Sequence, residues 1–514
     1  MTEILELNGH TLRLEDVERV ASGVSLEVRL AAAARRRVEA ARALVERVVR
    51  EQRVVYGITT GFGALAEVTI PPERIRELQL NLIRSHAAGV GEPLPIEEVR
   101  AVTLLRANVL ALGHSGVRPL IIERLLALLN SGITPVVPAL GSVGASGDLA
   151  PLSHLALVLL GEGEAWYRGE RLGGAEALRR ADLEPVVLEA KEGLALNNGT
   201  QVHTGIGILA LLRAERALET AEVAGAMSLE GLRGTPDAFD PLIQKARPQA
   251  GQAVSAARLR VLLRGSEIRE SHRHGDPRVQ DAYSLRCMPQ VHGAARQAFG
   301  FVRGVLEVEA NSATDNPLIF AEEQRIISGG NFHGQPVAQA LDFLAIACAD
   351  LGSIAERRMA RLIDPALSGL PAFLTPDPGV NSGFMMAQIV AAALVNELRL
   401  RANPASTDNV STDANKEDHV SMGMAAALKA RAAVALLETI LALELLTAAQ
   451  ALEFLQPLRP GAGVAAAYAR LRAAVPALDA DRVMAGDIAA AESLVRSGAF
   501  ATLWQDAQPG SAVP

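Results

Sequence analysis

Segment 141–154, with the sequence GSVGASGDLAPLSH, places an Ala-Ser-Gly tripeptide on a glycine-rich loop, followed by a carboxylate and an apolar stretch. Because Gly147 has no Cβ, its amide nitrogen can approach the carbonyl carbon of Ala145 closely. Ring closure with loss of water gives an imidazolone, and loss of the Ser146 hydroxyl then adds an exocyclic methylidene. The tripeptide can therefore become a methylidene-imidazolone (MIO), an electrophile that reacts with amines.

The same segment also has an interpretation that involves no chemistry. Gly144 and Gly147 would supply a flexible turn, and Asp148 would cap the helix that follows. A phosphate-binding loop is excluded because it needs a Gly-Lys-Ser/Thr sequence and no lysine lies nearby. A nucleophile elbow needs Gly-x-Ser-x-Gly, whereas Gly147 follows Ser146 directly. Taken alone, the segment leaves the electrophile and the helix-entry turn both open.

Composition is that of an ordinary globular protein and argues against several classes of function. The chain has 514 residues and a net charge of −8, with no basic block of the kind that binds nucleic acid. Aromatic residues make up only 3%, so stacking platforms for bases or sugars are not expected. The two cysteines, Cys287 and Cys348, form no metal motif and are expected to be free thiols in a reducing cytosol.

The chain carries no pattern that directs it to a membrane. Its first twenty residues are acidic and lack a basic region followed by an apolar run, so no signal peptide is expected. Apolar stretches elsewhere are expected to be interrupted by Arg, Glu or Asp before they reach the length of a membrane span. A cytoplasmic protein is therefore expected.

Helical periodicity dominates the chain and predicts a mainly α fold. A long-helix bundle is expected to form the core, with a smaller N-terminal domain that is mixed but mostly helical and carries segment 141–154. We expect an N-terminal domain at 1–200, a helical bundle at 201–507, and a disordered tail at 508–514. Short strands are expected at the N-terminus and within 164–190. Helices are predicted at 25–52, 73–87, 95–112, 118–131, 148–161, 201–232, 248–265, 290–312, 334–362, 382–401, 418–454, 464–473 and 480–497.

Several other segments carry polar groups in places where each has a structural explanation of its own. Tyr56 lies in the glycine-punctuated run VVYGITTGFG and could be a partly buried residue of a surface turn. His86 lies near a predicted helix end, where a lone histidine is more often structural. Asn198 ends a loop, where it could serve as a turn and cap residue. Arg286 offers a planar donor fork for a carboxylate or an ordinary surface ion pair.

The run NKEDHVSM at 415–422 combines carboxylates with a histidine, which invites a metal-site interpretation. Contiguous residues do not place several ligands on one helical face, and the chain has no HExxH motif. A metal site is therefore not expected at Glu417 and its neighbours.

Taken together, these motifs resemble the aromatic amino acid ammonia-lyase and aminomutase family, and they run in the family order from Tyr56 to Met422. The resemblance implies the ammonia-lyase/fumarase-like helical fold, an MIO formed from the Ala145-Ser146-Gly147 tripeptide without any external cofactor, and a homotetramer that shares its active sites between subunits. The Ser85-His86 pair is the one seen in the histidine-specific lyases of the family. The implied reaction is elimination of ammonia from L-histidine to give trans-urocanate.

The resemblance also implies a role for each site residue. Tyr56, on a mobile lid, would be the base that removes the β-proton, and closure beside Arg286 and the helix end at Asp148 is expected to favour its phenolate. The helix after Asp148 would stabilise charge that develops on the imidazolone oxygen. His86 and Glu417 would pair with the substrate imidazole. The remaining implied site residues are Tyr283 beside the MIO, Asn198, Gln280 and Arg286 for substrate binding, Asn331 as a polar contact and Phe332 as an apolar wall.

The chain departs from the pattern of histidine lyases at a few positions. Met288, His292 and Lys416 stand where Gln, Met and Gln are common, and Asn197 stands where an apolar residue is usual. These departures leave the electrophile intact but keep a phenylalanine or tyrosine lyase open. An aminomutase also stays open, because sequence separates it poorly from a lyase, and the intact Ala145-Ser146-Gly147 tripeptide argues against an inactive helical scaffold. A serine hydrolase that uses Ser146 is disfavoured because no triad is placed around it.

Overall fold

The protein is described by a computed structural model that covers residues 3–24 and 26–507. Helices account for most of these residues, and the strands are short, which confirms the predicted mainly α class. The predicted tail at 508–514 lies outside the described residues. The chain divides into two compact units. Unit 1 comprises Met1–Leu209, Val302–Asp342 and Pro404–Leu428, and unit 2 comprises Ala210–Phe301, Phe343–Asn403 and Lys429–Pro514.

These units are discontinuous in sequence, which differs from the contiguous division at residue 200 that we expected. The chain passes between the units five times, four times inside long helices and once between Asn403 and Pro404, and returns to unit 1 twice. Periodicity alone could not indicate this arrangement, because it shows where a helix runs and not what packs against it. The four helices are Gln201–Gly231, Met288–Glu309, Gln335–Ile363 and Gly423–Glu453.

Unit 1 combines short helices with four small sheets. Two strands pair in parallel at the N-terminus, and the other sheets are antiparallel. The strands are Glu3–Leu7 with Leu26–Leu30, Val90–Pro93 with Pro138–Leu140, Thr134–Pro135 with Glu164–Tyr167 and Glu170–Gly173, and Leu318–Phe320 with Arg325–Ile327. The helices confined to this unit are Leu14–Ala21, Ala32–Arg50, Ile75–His86, Ile96–Ala111, Pro119–Ser131, Leu149–Leu159, Gly174–Arg180 and Glu192–Asn197, with 3-10 turns at Gly63–Leu65, Pro72–Arg74 and Asp413–Asn415.

Buried polar contacts join the three segments of unit 1. The Lys191 ammonium and the Asp315 carboxylate form a fully buried ion pair at 2.7 Å. The Asn108 side chain donates to the Ala310 carbonyl oxygen at 2.9 Å. The Met422 amide donates to the Val143 carbonyl oxygen at 2.8 Å. Each buried group finds its partner on a distant segment, so the segments must fold together.

Three helices of unit 1 pack against one another and end at residues singled out by the sequence. They are Ile75–His86, Leu149–Leu159 and Glu192–Asn197. The first ends at His86, the second begins after Asp148, and the third ends before Asn198. Helix Leu149–Leu159 is almost entirely apolar and is buried on most of its surface, as expected for a helix surrounded by protein. This packing fixes the three chain ends relative to one another.

Unit 2 is a helical unit with an aliphatic core. Leu259, Leu443 and Leu446 lie in that core together with Phe239 and Phe500. The helices confined to this unit are Pro241–Ala246, Ala250–Leu262, Glu267–Ser271, Tyr283–Arg286, Pro365–Ser368, Met385–Arg401, Ala462–Arg472, Ala485–Arg496 and Leu503–Asp506, with 3-10 turns at Pro236–Phe239 and Ala372–Leu374.

Most predicted helices match observed ones to within a few residues, but the first does not. The stretch predicted to be helical from residue 25 contains the strand Leu26–Leu30, and the helix begins only at Ala32. The pairing of this strand with Glu3–Leu7 supplies backbone partners that local propensity does not reveal.

Two helices carry longer apolar stretches than we expected, because no more than two charged residues interrupt them over the length of a membrane span. Gln335–Ile363 and Gly423–Glu453 are long and apolar enough to cross a membrane by length and composition alone. However, 67% and 78% of their apolar windows are buried inside the protein, as in the core helices of soluble proteins. Their apolar character is therefore satisfied by protein contacts.

Candidate active site

The carboxylate of Asp148 lies fully buried at the centre of the polar groups in unit 1. Its Oδ2 accepts hydrogen bonds from the backbone amides of Val202 and His203, at 2.9 and 3.0 Å. Its Oδ1 accepts from Ser142 Oγ at 3.1 Å and lies 2.9 Å from His203 Nδ1. The side chain therefore caps helix Gln201–Gly231, where free amides and the helix dipole favour an anion.

This contact corrects the helix-entry interpretation of the loop. Within the described part of the chain, the Asp148 side chain makes no capping hydrogen bond to its own helix, Leu149–Leu159. Burial lowers the pKa of His203, but the charge of Asp148 outweighs that effect and the net pKa of His203 is raised. Nδ1 of His203 and two backbone amides thus contact the buried carboxylate.

The glycines of the loop are required by its backbone. Gly147 has a φ of +75°, and a Cβ at this position would overlap the Gly199 carbonyl. The next amide, that of Asp148, donates to the same Gly199 oxygen at 2.8 Å. Gly144 has a φ of +71° and accepts a 3.0 Å hydrogen bond from Ser421 Oγ. The tripeptide is therefore held between two neighbouring segments with no room for a larger residue at position 147.

Ser146 contacts two residues that the sequence placed at the site. Its hydroxyl donates to Glu417 Oε1 at 2.7 Å. Its carbonyl accepts from Asn198 Nδ2 at 2.9 Å. Thr412 Oγ1 donates to the other Glu417 oxygen at 2.6 Å, which fixes the orientation of the carboxylate. The neighbouring Ala145 side chain is buried.

Tyr56 lies on the loop between helices Ala32–Arg50 and Ile75–His86. Its hydroxyl accepts a long hydrogen bond, 3.4 Å, from the Gly63 amide. Burial raises the pKa of the Tyr56 phenol, and the Asp413 and Glu417 carboxylates raise it further. We expected Arg286 to favour the phenolate, but Arg286 belongs to unit 2. In unit 1 the surroundings of Tyr56 therefore favour the protonated phenol.

His86 is half-buried, and burial lowers its pKa, so the imidazole is neutral at neutral pH. Its Nδ1 lies 3.0 Å from Ser85 Oγ, and that hydroxyl also lies 3.1 Å from the Leu82 carbonyl oxygen. Because the hydroxyl has one proton, donation to Leu82 makes it an acceptor for a protonated Nδ1. Nε2 is then an acceptor, whereas donation of the hydroxyl to Nδ1 instead leaves Nε2 as an N–H donor for a ligand.

Two adjoining cavities surround these groups, with volumes of about 530 and about 730 Å³. Both are lined by Tyr56, Ser146, Asn198 and Glu417. The smaller cavity adds His86 and the apolar side chain of Leu82, and the larger one adds Phe332, His333 and Lys416. Either volume is sufficient for a small amino acid.

The backbone of Asn198 is held by a hydrogen bond from Arg106, a residue that the sequence analysis did not identify. Arg106 is fully buried in helix Ile96–Ala111, and its Nη1 donates to the Asn198 carbonyl oxygen at 2.8 Å and to Gln201 Oε1 at 2.5 Å. Burial lowers the pKa of Arg106 to about 10, so the guanidinium stays protonated at neutral pH. The sequence signal was an arginine in the mostly apolar second half of a helix whose first turns carry Glu97, Glu98 and Arg100. His203, Thr412 and Asp413 were also missed.

Six of the expected site residues line neither cavity: Gly147 and Asp148, which hold the loop in place, and the four that follow. Three of them lie in unit 2: Gln280, Tyr283 and Arg286. Tyr283 is 71% exposed, and the Arg286 guanidinium lies 4.5 Å from the centre of the Tyr283 ring. Asn331 belongs to unit 1, is exposed, and donates to the Ala313 carbonyl oxygen at 3.2 Å. The single chain therefore presents one part of the expected site in unit 1 and another on the surface of unit 2.

The sequence departures now have positions in the structure. Asn197 is fully buried and donates to Ser153 Oγ at 3.1 Å, which joins helices Glu192–Asn197 and Leu149–Leu159. Met288 and His292 are fully buried in unit 2. Lys416 is exposed on the wall of the larger cavity, next to Glu417. Of these departures, only Lys416 lines a cavity at the site.

Comparisons with known proteins agree over nearly the whole chain. A histidine ammonia-lyase of Anaeromyxobacter sp. (strain K) is 58% identical over 96% of this chain and 99% of its own length. The crystal structure of histidine ammonia-lyase from Trypanosoma cruzi is 43% identical and superposes with a TM-score of 0.92, covering 99% of this chain and 96% of that one. Tyrosine aminomutase from Streptomyces globisporus is 41% identical with a TM-score of 0.92, covering 97% and 98% of the two chains.

A family model described as aromatic amino acid lyase matches residues 12–473. The match includes every segment that forms the site in unit 1 and the Gln280–Arg286 region of unit 2. The chain therefore belongs to the aromatic amino acid lyase family.

Proposed function

We propose that this protein eliminates ammonia from L-histidine to give trans-urocanate. The observation that carries the proposal is the position of Ser146, whose hydroxyl contacts Glu417 in a cavity that His86 also lines. The electrophile-forming tripeptide thus lies between two polar side chains suited to the two nitrogens of an imidazole ring. The histidine ammonia-lyases among the relatives support the same substrate.

The residues present fit an MIO formed from Ala145, Ser146 and Gly147. The backbone at Gly147 excludes a side chain, and the loop is anchored by the contacts of Asp148 and Asn198 on either side. The group supplies an electrophile for the substrate amine and so makes that amine able to leave. The chain's own residues must then orient the amino acid and remove its β-proton.

Glu417 and neutral His86 would orient the imidazole. Glu417, held by Thr412, accepts a hydrogen bond from the ring N–H. His86, in the tautomer whose Nδ1 accepts from Ser85 Oγ, donates its Nε2–H to the other ring nitrogen. A phenyl ring in the same position would leave both groups without partners, which is costly in a buried site. Asn198 Oδ1 is buried and has no hydrogen-bond partner among residues 3–24 and 26–507, so it can accept one from the substrate amine.

Tyr56 would remove the β-proton as a general base. Its loop carries Gly57 and Gly63, both with positive φ, which suits a segment that closes over substrate and excludes water. Because burial and carboxylates raise its pKa, the phenol needs positive charge in order to ionise. Arg286 of a partner subunit can supply that charge and bind the substrate carboxylate as well.

We propose a homotetramer with active sites shared between subunits. Gln280, Tyr283 and Arg286 lie at or near the surface of unit 2 of the single chain and are available to a neighbouring copy. Exposed apolar residues on the helices of unit 2 also indicate an interface: the rings of Phe301 and Phe343 lie 5.7 Å apart and are 51% and 47% exposed. The free cysteines suit a reducing cytoplasm, where we propose that the enzyme works.

An aminomutase is the second candidate, because tyrosine aminomutase is similar over nearly the whole chain. The two activities share the elimination and differ in whether ammonia returns to the β-carbon before the product leaves. Product analysis separates them, since a lyase gives trans-urocanate and a mutase gives the β-amino acid.

Loss of either imidazole partner should abolish histidine selectivity. His86→Leu or Glu417→Gln should reduce histidine turnover at least about 100-fold, because a buried polar partner is lost while the electrophile-forming loop is kept. The measurement is release of ammonia and urocanate from a panel of histidine, tyrosine and phenylalanine. His10→Leu, at an exposed histidine of unit 1, is the matched control. If the wild-type enzyme turns over tyrosine or phenylalanine faster than histidine, the assignment of histidine as the substrate is wrong.

Removal of the Tyr56 hydroxyl should stop proton abstraction. Tyr56→Phe keeps the ring and should lower turnover at least about 100-fold, together with exchange of the β-hydrogen with deuterated solvent. In the wild type, kcat/KM should rise with pH above neutrality, because the base is active only as phenolate and its pKa is raised. Tyr468→Phe, in unit 2, is the control. Wild-type exchange and elimination in Tyr56→Phe would make Tyr283 the next candidate.

Subunit sharing predicts complementation between two inactive variants. Tyr56→Phe and Arg286→Ala proteins, dissociated and reassembled together, should regain partial activity because some sites then combine an intact Tyr56 with an intact Arg286. Each variant reassembled alone is the control. Mixed tetramers verified by native mass spectrometry that remain inactive would argue against a shared site.

A further inference from the structure

The side chain of Asp413 joins two loops of the site. These are the Tyr56 loop, residues 51–74, and the Glu417 loop, residues 402–422. Asp413 Oδ2 accepts a hydrogen bond from the Ala64 amide at 3.0 Å, between residues 349 positions apart in sequence. The fit around the carboxylate is close, because a Cβ added to Gly63 would overlap it. The contact therefore requires a residue without a Cβ at position 63 and a backbone N–H that can donate at position 64.

The backbone that presents Asp413 is strained. Asp413, Ala414 and Asn415 have consecutive φ values of +47°, +52° and +66°. L-residues adopt this left-handed region at a cost, and such conformations cluster at functional sites. The turn is held by Ser411 Oγ, which donates to Asn415 Oδ1 at 2.6 Å, and by the Thr412 amide, which donates to the Glu417 carbonyl oxygen at 3.0 Å.

Two consecutive amides of the lid contact the site. The Gly63 amide donates to the Tyr56 hydroxyl, and the Ala64 amide donates to Asp413. Because the two amides belong to one short 3-10 turn, Gly63–Leu65, a carboxylate that fixes Ala64 also fixes the donor to the phenol. Asp413 lines both cavities beside Tyr56.

We propose that Asp413 is a positioning residue that holds the Tyr56 loop closed over the substrate cavity. The role rests on the proposed lyase function, in which Tyr56 is the base. The strained turn thereby places the Glu417 carboxylate at Ser146 and the Asp413 carboxylate at the Tyr56 loop.

The charge of Asp413 is not what helps the base. The carboxylates of Asp413, Glu417 and Asp315 all raise the pKa of Tyr56, after the larger effect of burial, and so oppose its ionisation. His86, across the smaller cavity, is neutral because burial lowers its pKa. The carboxylate at position 413 therefore contributes as a hydrogen-bond acceptor, and an uncharged acceptor of the same shape should replace it.

Two variants separate these effects. Asp413→Ala removes the acceptor, whereas Asp413→Asn keeps an oxygen for the Ala64 amide and removes only the charge. Asp408→Asn is the matched control, because it removes the same charge from an exposed position of the same loop that lines neither cavity. Amide hydrogen exchange of residues 60–67 is measured without substrate, and kcat and KM are measured with histidine.

In Asp413→Ala, exchange at 60–67 should rise and kcat/KM should fall, each about tenfold, as expected for loss of one charge-assisted hydrogen bond. Asp413→Asn should keep most of the protection and shift the alkaline rise in activity to lower pH. Asp408→Asn should resemble the wild type in both measurements. Wild-type exchange at 60–67 in Asp413→Ala would overturn the inference. Since exchange needs no substrate, that result is independent of whether histidine is the substrate.

Discussion

The buried carboxylate of Asp148 is the interaction on which the site depends. It is fully removed from solvent, and it accepts hydrogen bonds from two amides at the start of helix Gln201–Gly231 and contacts the His203 ring. Removal of one partner of such a buried charge typically costs about 3–5 kcal/mol, because the remaining charge stays without compensation. The contact fixes the glycine-rich loop against a long helix. In this position the backbones of Gly147 and Gly199 form an isolated parallel β-bridge.

The other contacts of the site are arranged around this fixed loop. Arg106 and Asn198 hold the side nearest the helix, and the Glu417 loop holds the opposite side through Ser146. The Tyr56 loop, which we propose closes over the substrate, meets the Glu417 loop at Asp413. A rigid electrophile-forming loop beneath a glycine-rich lid is consistent with an elimination in which substrate must enter, react in the absence of water, and leave as two products.

The sequence predicted the helices well because their apolar periodicity is strong, and it identified segments around Tyr56, Ser146, Asn198 and Glu417 that lie together in unit 1. It did not predict what Asp148 contacts, because its partners Val202 and His203 lie more than fifty residues away and belong to another helix. Arg106 was not identified for a similar reason, since its contacts to Asn198 and Gln201 join residues more than ninety positions apart. The raised pKa of Tyr56 and the left-handed turn at 413–415 depend on tertiary approach, which no local pattern encodes.

The mass of the proteolytic fragment that contains residues 141–154 tests most directly whether the protein makes its own electrophile from Ala145, Ser146 and Gly147. In an active preparation this fragment should be lighter than its sequence mass by two water molecules. The corresponding fragment of Ser146→Ala, in which no methylidene can form, should lack the second loss. A fragment of unmodified mass from fully active enzyme would contradict the account.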